Sequence, residues 1–572
     1  MSNQLKIQLG QYSHQGRKAE NQDFYGATIP TGHLCQQKGI ACAIADGISS
    51  SNVSHIASET AVASFLSDYF STPESWTVKT SAERVINATN SWLYSQTQQS
   101  QGRFDKDRGY VCTLSAVILK ADQAHIFHIG DSRVYRLQNG QLEQLTTDHR
   151  IWFSSTESYL SRALGVNQKV EIDYQHCTVY PEDIFILMTD GVYEYLHRDI
   201  LFSAAQSDAD LAQLAKNMVD FAYQQGSQDN LTIQIIKVCQ VAQATSQYLT
   251  PQYQDLAFAP QLSVGDIFEG YQIRQILHHN HRSSLYLAHD QTADSLLVLK
   301  TPSIELRENQ ILLEQFFLEE WVSKRLQSPY LLAAYPHVQS KNYIYHTLQY
   351  IQGQSLASWL QQQPQALSIN QVVAIIEQVA KGLNALHRME MLHQDIRPEN
   401  IMIDEQQKIT LIDFGSTAVK GIVEFQPQYA DLPLGTLAYM APEYFIDELA
   451  TVRSEQYSLA VMTYYLLCQH LPYNTDVAKC RNKKQLQALS YQSIQIYRPD
   501  IPIWVDAALE KALKLDSNKR YEALSEFIYD LKHPNPVFMH KQKVALLAKN
   551  PVLFWQLMSM ILLLIVVFLL CK

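Results

Sequence analysis

The stretch Met391–Gly415, MLHQDIRPENIMIDEQQKITLIDFG, constrains the fold more than any other part of the chain. An apolar lead-in ends at His393, and Asp395 opens a polar loop that closes at Asn400. Ile401–Ile403 is a short apolar run, Glu405–Gln407 a polar turn, and Ile409–Ile412 a second run leading into Asp413-Phe414-Gly415. The pattern predicts two short strands joined by a tight turn, with Asp395 and Asn400 at one end and Asp413 returned beside them. Two carboxylates and an amide gathered there are hard oxygen ligands, the kind Mg²⁺ takes when it bridges a polyphosphate.

At 572 residues the chain is too long for one core and calls for about three or four domains. Its 46% hydrophobic and 18% charged residues describe a globular protein. A net charge of −11 argues against non-specific nucleic-acid binding, which runs on Lys and Arg neutralising phosphates. The eight cysteines include no C-x-x-C pair, and free thiols are expected. Met1–Gly10 lacks the apolar run of a signal peptide. Near the C-terminus, Val552–Leu570 is uncharged throughout and spans about 28 Å as a helix. Lys541, Lys543 and Lys549 precede it, so a single-pass anchor with the bulk of the chain on the cytoplasmic side is expected.

Residues 1 to about 240 place carboxylates at the ends of apolar runs. Ile40–Ala45 ends at Asp46-Gly47, Ala124–Ile129 at Gly130-Asp131, and Ile184–Thr189 at Asp190-Gly191, while Asp229-Asn230 precedes Leu231–Val238. Asn139-Gly140, flanked by apolar residues, predicts a hairpin. Ser54–Phe70 and Ala82–Gln96 read as amphipathic helices. One Asp-Gly after a strand is a turn signal. Four carboxylates at strand ends repel one another unless a cation compensates them, and an oxygen-only set points to Mg²⁺ or Mn²⁺ rather than zinc.

The motifs GRKAENQD (16–23), ADG (45–47), IGDSR (129–133), LTTDH (145–149), SRALG (161–165), MTDG (188–191) and SQDNLT (227–232), in this order, resemble the type 2C metal-dependent protein phosphatases. The resemblance implies an α/β sandwich of two antiparallel sheets flanked by helices, with a dinuclear site between the sheets. It implies that Asp46 bridges two ions, that the Gly47 carbonyl ligates one, and that Asp190 and Asp229 complete the other. Asp23 joins this set, and Asp131 helps Asp190 hold a looser third ion. The ions would lower the pKa of a bridging water that attacks phosphorus. Lys18 falls where the family keeps a phosphate-binding arginine, with Arg17 as the adjacent alternative. The chain departs from the family at Ile48-Ser49-Ser50, where glycines are usual, and at Gln22, where an acid is common.

The Met391–Gly415 stretch itself resembles the catalytic core of the protein kinases, with HQDIRPEN and DFG at the required spacing. The resemblance implies that Asp395 accepts the acceptor hydroxyl's proton, that Arg397 keeps positive charge near the transferred phosphate, and that Asn400 and Asp413 hold Mg²⁺ on ATP. Val298-Leu299-Lys300 resembles the strand that presents the nucleotide-binding lysine. Glu319, with Glu320 as the alternative, matches the glutamate paired to it. Gly435–Glu443 matches the end of the activation segment, and Arg520 the partner of Glu443. Four departures stand out. Arg397 replaces a lysine, Glu455 an aspartate and Gln394 an arginine, and the glycine positions of the phosphate loop hold His278, Asn280 and Ser283.

The expected organisation is therefore α+β and multidomain. A phosphatase sandwich over 1–240 and a linker over 241–264 precede a bilobal kinase over 265–533. A juxtamembrane segment (534–551) and a transmembrane helix (552–571) follow. The expected function is a signalling enzyme of the inner, cytoplasmic membrane that dephosphorylates and phosphorylates Ser/Thr proteins, using Mn²⁺ or Mg²⁺ at one site and Mg²⁺ with ATP at the other. The alternative is a phosphatase carrying a kinase-like binding module, because the glycine loop is lost.

Overall fold

A computed structural model describes residues 4–105, 108–152, 158–196, 210–242, 253, 255–280, 282–303, 306, 309–336, 341–423, 437–446, 448–539 and 554–562. The chain divides into two compact units, Met1–Ser246 with Val419–Pro427, and Gln247–Ala418 with Gln428–Lys572.

The first unit contains two five-stranded antiparallel sheets. One is built from β1 (Lys6–His14), β6 (Arg133–Gln138), β7 (Gln141–Gln144), β11 (Ile184–Met188) and β12 (Leu231–Gln240), in the order β1-β12-β11-β6-β7. The other comprises β2 (Asp23–Thr28), β3 (Ile40–Asp46), β4 (Leu114–Lys120), β5 (Gln123–Ile129) and β10 (Asp173–Thr178), in the order β10-β5-β4-β3-β2. A short separate hairpin pairs β8 (Arg150–Trp152) with β9 (Ser158–Leu160).

Strand β3 shows why the layers stack as they do. Ile40, Cys42 and Ile44 pack with Phe185, Leu187, Ile236 and Val238 to fill the space between the sheets. Ala41, Ala43 and Ala45 turn the other way, against Ala57, Ala61, Phe65 and Ile86 of the helices Ser54–Ser71 and Val78–Gln99. The small alanines let those helices lie close, and burial of both faces accounts for the unbroken apolar run. Helix Leu211–Gln224 covers the opposite outer face through Leu214, Met218 and Ala222. The turn after β6 has φ of 49° at Asn139 and 75° at Gly140, the two positive values that a tight two-residue hairpin needs.

The second unit opens with a five-stranded sheet that includes Tyr271–His279, Ser283–Asp290 and Ser295–Pro302. Ala259 and Leu262, from the stretch read as linker, join Ile273, Tyr286, Leu297 and Leu299 in its core, and Ala257–Phe258 pairs in parallel with Tyr343–Ile344. Helix Gln310–Arg325 begins after Asn309, whose side chain caps it by accepting the Leu312 N–H. A mainly helical lobe follows, built on Ile369–Arg388 with its Ser368/Gln371 capping box and on the buried helix Val452–Cys468. Ile401–Asp404 and Ile409–Leu411 pair antiparallel, as their pattern requires. Among the described residues no helix is long and apolar enough to cross a membrane. Of the expected span 552–571, only 554–562 is described; it is helical, with Trp555, Met560 and Leu562 exposed.

Candidate active sites

In the first unit the strand ends bring Asp46, Gly47, Asp131, Asp190 and Asp229 to the lining of one cavity of about 490 Å³. Strand pairing sets Asp23 directly opposite Asp46. Asp23 Oδ2 accepts hydrogen bonds from Thr189 Oγ1 (2.9 Å) and Thr232 Oγ1 (2.7 Å), which fix the carboxylate. Its Oδ1 is buried without a donor. Gly47 is crowded by backbone: a Cβ there would meet Ser54 O at 2.7 Å and Gln22 O at 2.9 Å.

The motif residues between these acids act as scaffold. Asn230 accepts the Gln22 N–H and donates to Gln15 O and Glu20 O, tying the 15–22 loop to the start of β12. Gln22 donates to Ser51 O and so holds the loop after Gly47. Asp148 binds Arg133 through both oxygens, and His149 Nδ1 takes the Gly130 N–H at 3.0 Å, which sets the turn that presents Asp131. Lys18 reaches Asp229 (3.2 Å) and Ser49 Oγ (2.8 Å), whereas Arg17 stacks over Tyr223. Of the two basic candidates, only Lys18 contacts the cluster.

Arg150 was not singled out in the sequence, although it stands one residue past LTTDH. Its Nε bonds Asp131 Oδ2, its Nη2 lies 2.5 Å from Asp190 Oδ2, and its Nη1 lies 3.1 Å from Glu194 Oε1. Burial opposes its charge, but Asp131, Tyr193 and Asp190 hold its pKa above the ordinary arginine value.

Crowding is plain in the acids themselves. Burial, with Asp131 and Asp229 adding repulsion, pushes Asp190 up to about 7, and burial pushes Asp23 up to about 6. Asp46 is raised well above the usual carboxylate range, first by burial and then by Asp23, Asp190, Asp131 and Asp229. Among the described residues no group of three or more His, Cys, Asp or Glu side chains is set to hold a metal ion as it stands. The donor chemistry nevertheless fits a hard divalent cation: oxygen ligands only, mutual repulsion unrelieved at Asp46, and an orphaned buried oxygen on Asp23.

In the second unit Lys300 Nζ binds both oxygens of Glu319, at 2.8 and 2.6 Å, and stands 4.0 Å from Asp413. Burial opposes its charge, and Glu319 and Asp413 restore it, leaving the pKa above the ordinary lysine value. Asp413 is pushed up by burial, yet Lys300 leads the groups that bring it below its usual range. Glu320 faces elsewhere, toward Lys341 (2.5 Å), Lys324 (2.9 Å) and Tyr253 Oη (2.8 Å). The geometry thus selects Glu319 of the two.

Asn400 Nδ2 donates to Asp395 O (3.0 Å) and Asp395 Oδ2 (2.7 Å), holding the catalytic loop closed. Arg397 Nε lies 3.7 Å from Asp395. Glu455 accepts the Gln394 N–H at 2.9 Å and contacts His387 at 2.5 Å, so its longer side chain still braces the loop from below. Phe414 is buried, edge-on to His393. Arg520 meets Glu443 through both guanidinium nitrogens, at 2.5 and 3.0 Å, fully buried. Gly435 and Thr436 lie outside the described residues. A cavity of about 480 Å³ bordered by Pro329, Tyr350 and Lys408 takes in none of Lys300, Asp395, Asn400 and Asp413.

The phosphate loop differs from a glycine loop in kind. None of His278, Asn280 and Ser283 takes positive φ. Instead the Asn280 Oδ1 accepts the N–H groups of Arg282 (2.8 Å) and Ser283 (2.9 Å), closing the turn on its own side chain. Amides spent on Asn280 are not available to a phosphate.

The two folds and their clustered residues define a phosphatase-type and a kinase-type domain on one chain. Comparison with known families agrees: residues 10–234 match protein phosphatase 2C and residues 271–533 match the protein kinase domain. The chain is a type 2C phosphatase domain fused to a serine/threonine protein kinase domain. Serine/threonine-protein kinase PknE of Mycobacterium tuberculosis is 28% identical over 257 residues, covering 45% of this chain and 44% of that protein. PrkC of Bacillus subtilis is 26% identical over 263 residues, covering 46% and 40%. The chain thus spans less than half the length of the curated relatives it matches. Among solved structures, the PknI kinase domain of M. tuberculosis is 23% identical, with a TM-score of 0.38 over 48% of this chain and 99% of that one. The phosphatase PstP/Ppp of M. tuberculosis is 22% identical, with a TM-score of 0.34 over 41% and 99%.

Proposed function

We propose that the chain is a two-headed signalling enzyme that removes phosphate from phosphoserine and phosphothreonine in proteins at one site and transfers it from ATP at the other. The observation that carries this reading is the simultaneous presence of the Lys300–Glu319 pair, beside Asp413, and of the five-aspartate cluster. In the phosphatase domain Asp46, Asp190, Asp229, Asp23 and the Gly47 carbonyl would hold Mn²⁺ or Mg²⁺, with Lys18 beside them to meet the substrate phosphate. The ions, when bound, would supply a water of lowered pKa and neutralise charge on phosphorus. In the kinase domain Lys300 orients the ATP phosphates, and Asn400 and Asp413 would hold Mg²⁺. Asp395 takes the proton of the attacking hydroxyl, and Arg397 offers positive charge near the transferred group. A binding-only kinase module has no use for the acceptor base Asp395, braced by Asn400.

The apolar run Val552–Leu570 supports a single-pass C-terminal anchor in the cytoplasmic membrane, with both domains on the cytoplasmic face. Deleting residues 550–572 is expected to move the protein to the soluble fraction with both activities kept; persistent membrane association would remove the anchor. The decisive experiment for function is incubation of the detergent-solubilised full chain with labelled ATP and Mn²⁺, with and without Asp190→Asn. Net label on protein should appear only in the variant. Label in neither, with phosphatase turnover intact in the parent, would leave the kinase domain as a binding module.

A further inference from the structure

Arg150 sits between two acids of the phosphatase cluster, and it touches more of the acids than any other cation described there. Asp131 follows β5 of one sheet and Asp190 follows β11 of the other. Arg150, reaching in from the β8–β9 hairpin, ties the two sheet ends together through Nε and Nη2 and fastens Glu194 with Nη1. The side chain is largely buried, at 14% exposure, and Asp131 beneath it at 7%. A guanidinium held by three carboxylates in that way is weakly hydrated and permanently charged, so it acts as a fixed counter-ion.

We propose that Arg150 is the resident third cation of this site: it occupies the place between Asp131 and Asp190 that a third divalent ion would take, so the cluster accepts two ions and no more. The inference rests on reading the site as an ion-dependent phosphatase, and it replaces the looser third ion expected from the sequence. Charge balance points the same way. Asp23, Asp46, Asp131, Asp190, Asp229 and Glu194 bring six negative charges when ionised, and Arg150 and Lys18 return two. Two divalent ions supply the remaining four, whereas a third would leave the site with two positive charges in excess. The remaining acids divide accordingly. Asp46 has no ion-pair partner among the described residues and stays open for metal, while Asp131 already has one in Arg150. Lys18, more exposed and on a flexible stem, can leave Asp229 for a substrate phosphate, which a buried Arg150 with three partners cannot do.

The test counts ions on the full chain in detergent, by equilibrium dialysis against Mn²⁺ and by the Mn²⁺ electron-spin signal. The wild type is expected to bind two ions in its phosphatase domain, with the kinase ions removed from the count by Asn400→Ala and Asp413→Ala in every sample. Arg150→Gln is expected to gain a third, weaker ion. Asp131→Asn is expected to leave the count at two, and it keeps the inference testable if Arg150→Gln fails to fold. A wild type binding three ions, an Arg150→Gln protein still binding two, or an Asp131→Asn protein losing an ion would each overturn the role of Arg150 while leaving the phosphatase reading intact. A wild type that binds no ion while showing a native melt would overturn the phosphatase reading itself, and this inference with it.

Discussion

Glu319 and Glu320 are adjacent in sequence and opposite in duty. The sequence narrows the lysine's partner to these two but does not decide between them, because that choice depends on the phase of a helix whose start is set by Asn309. Glu319→Gln is expected to depress phosphoryl transfer strongly, with a smaller change in melting temperature because Asp413, 4.0 Å away, still pairs the buried Lys300. Glu320→Gln should do the reverse, since it leaves Lys341 buried without its ion-pair partner, a loss of about 3–5 kcal/mol. Parallel melts and transfer assays on the pair distinguish the two roles, and matched losses in both assays would contradict the assignment. Asp46 gives the complementary case. Since no ion pair reaches Asp46 among the described residues, Asp46→Asn should raise the melting temperature of the ion-free domain by about 2–4 °C for each kcal/mol of repulsion relieved, while abolishing stabilisation by Mn²⁺. Unchanged Mn²⁺ stabilisation would remove Asp46 from the site. Most acids here were legible as strand-end carboxylates. Arg150 and the paired hydroxyls of Thr189 and Thr232 were not, since only the three-dimensional meeting of strand ends reveals what they touch.

Elements with a local code were readable in advance. Asn139-Gly140 fixed a hairpin, and alternation of Ile and Ala in β3 records its two buried faces. The segment after residue 240 carries no such code, and its contacts are tertiary. Tyr253 stacks on Phe317 at 3.9 Å between ring centres and donates to Glu320, so it braces the helix that carries Glu319. Tyr253→Ala is expected to lower kinase turnover severalfold, from a loss of about 1 kcal/mol, and to leave phosphatase turnover unchanged. Tyr253→Phe should recover the stacking share. An alanine variant with full kinase turnover would make Tyr253 a tether only. The phosphate loop is the other element where sequence left a choice. Asn280 does not adopt the left-handed turn of a glycine and instead satisfies two amides itself. Affinity for Mg·ATP should therefore be weak, at a cost of about 1.5–3 kcal/mol for each charge-assisted bond forgone. Returning glycine at 278, 280 and 283 together should tighten it in calorimetric titration; equal affinity in the two proteins would mean that the phosphates are held elsewhere.

At the scale of the whole molecule, two self-contained motif sets made the domain order legible, because each set needs its own core. The stability of those cores depends on pH through buried histidines that no motif marks. Burial, with His149 adding repulsion, lowers His128 to about 4, and burial lowers His346 to about 3. A native pKa below the unfolded value near 6.5 means that the native state binds fewer protons between those values. The stabilisation is then complete above pH 6.5 and is lost as pH falls toward 4, on the order of 3 kcal/mol for His128. Comparing melts of wild type and His128→Gln from pH 7.5 to 5 isolates this share, and parallel curves would exclude it.

One feature of the first sheet reaches back to synthesis. Strand β1, Lys6–His14, is hydrogen-bonded to β12, Leu231–Gln240, and to no other strand of its sheet. As the chain leaves the ribosome, β1 must therefore wait for a strand made more than two hundred residues later. Until then its edge and the apolar face of β11 stay open to wrong partners. Nascent chains halted short of residue 231 should remain protease-sensitive and bound to chaperones, and those released past residue 240 should close.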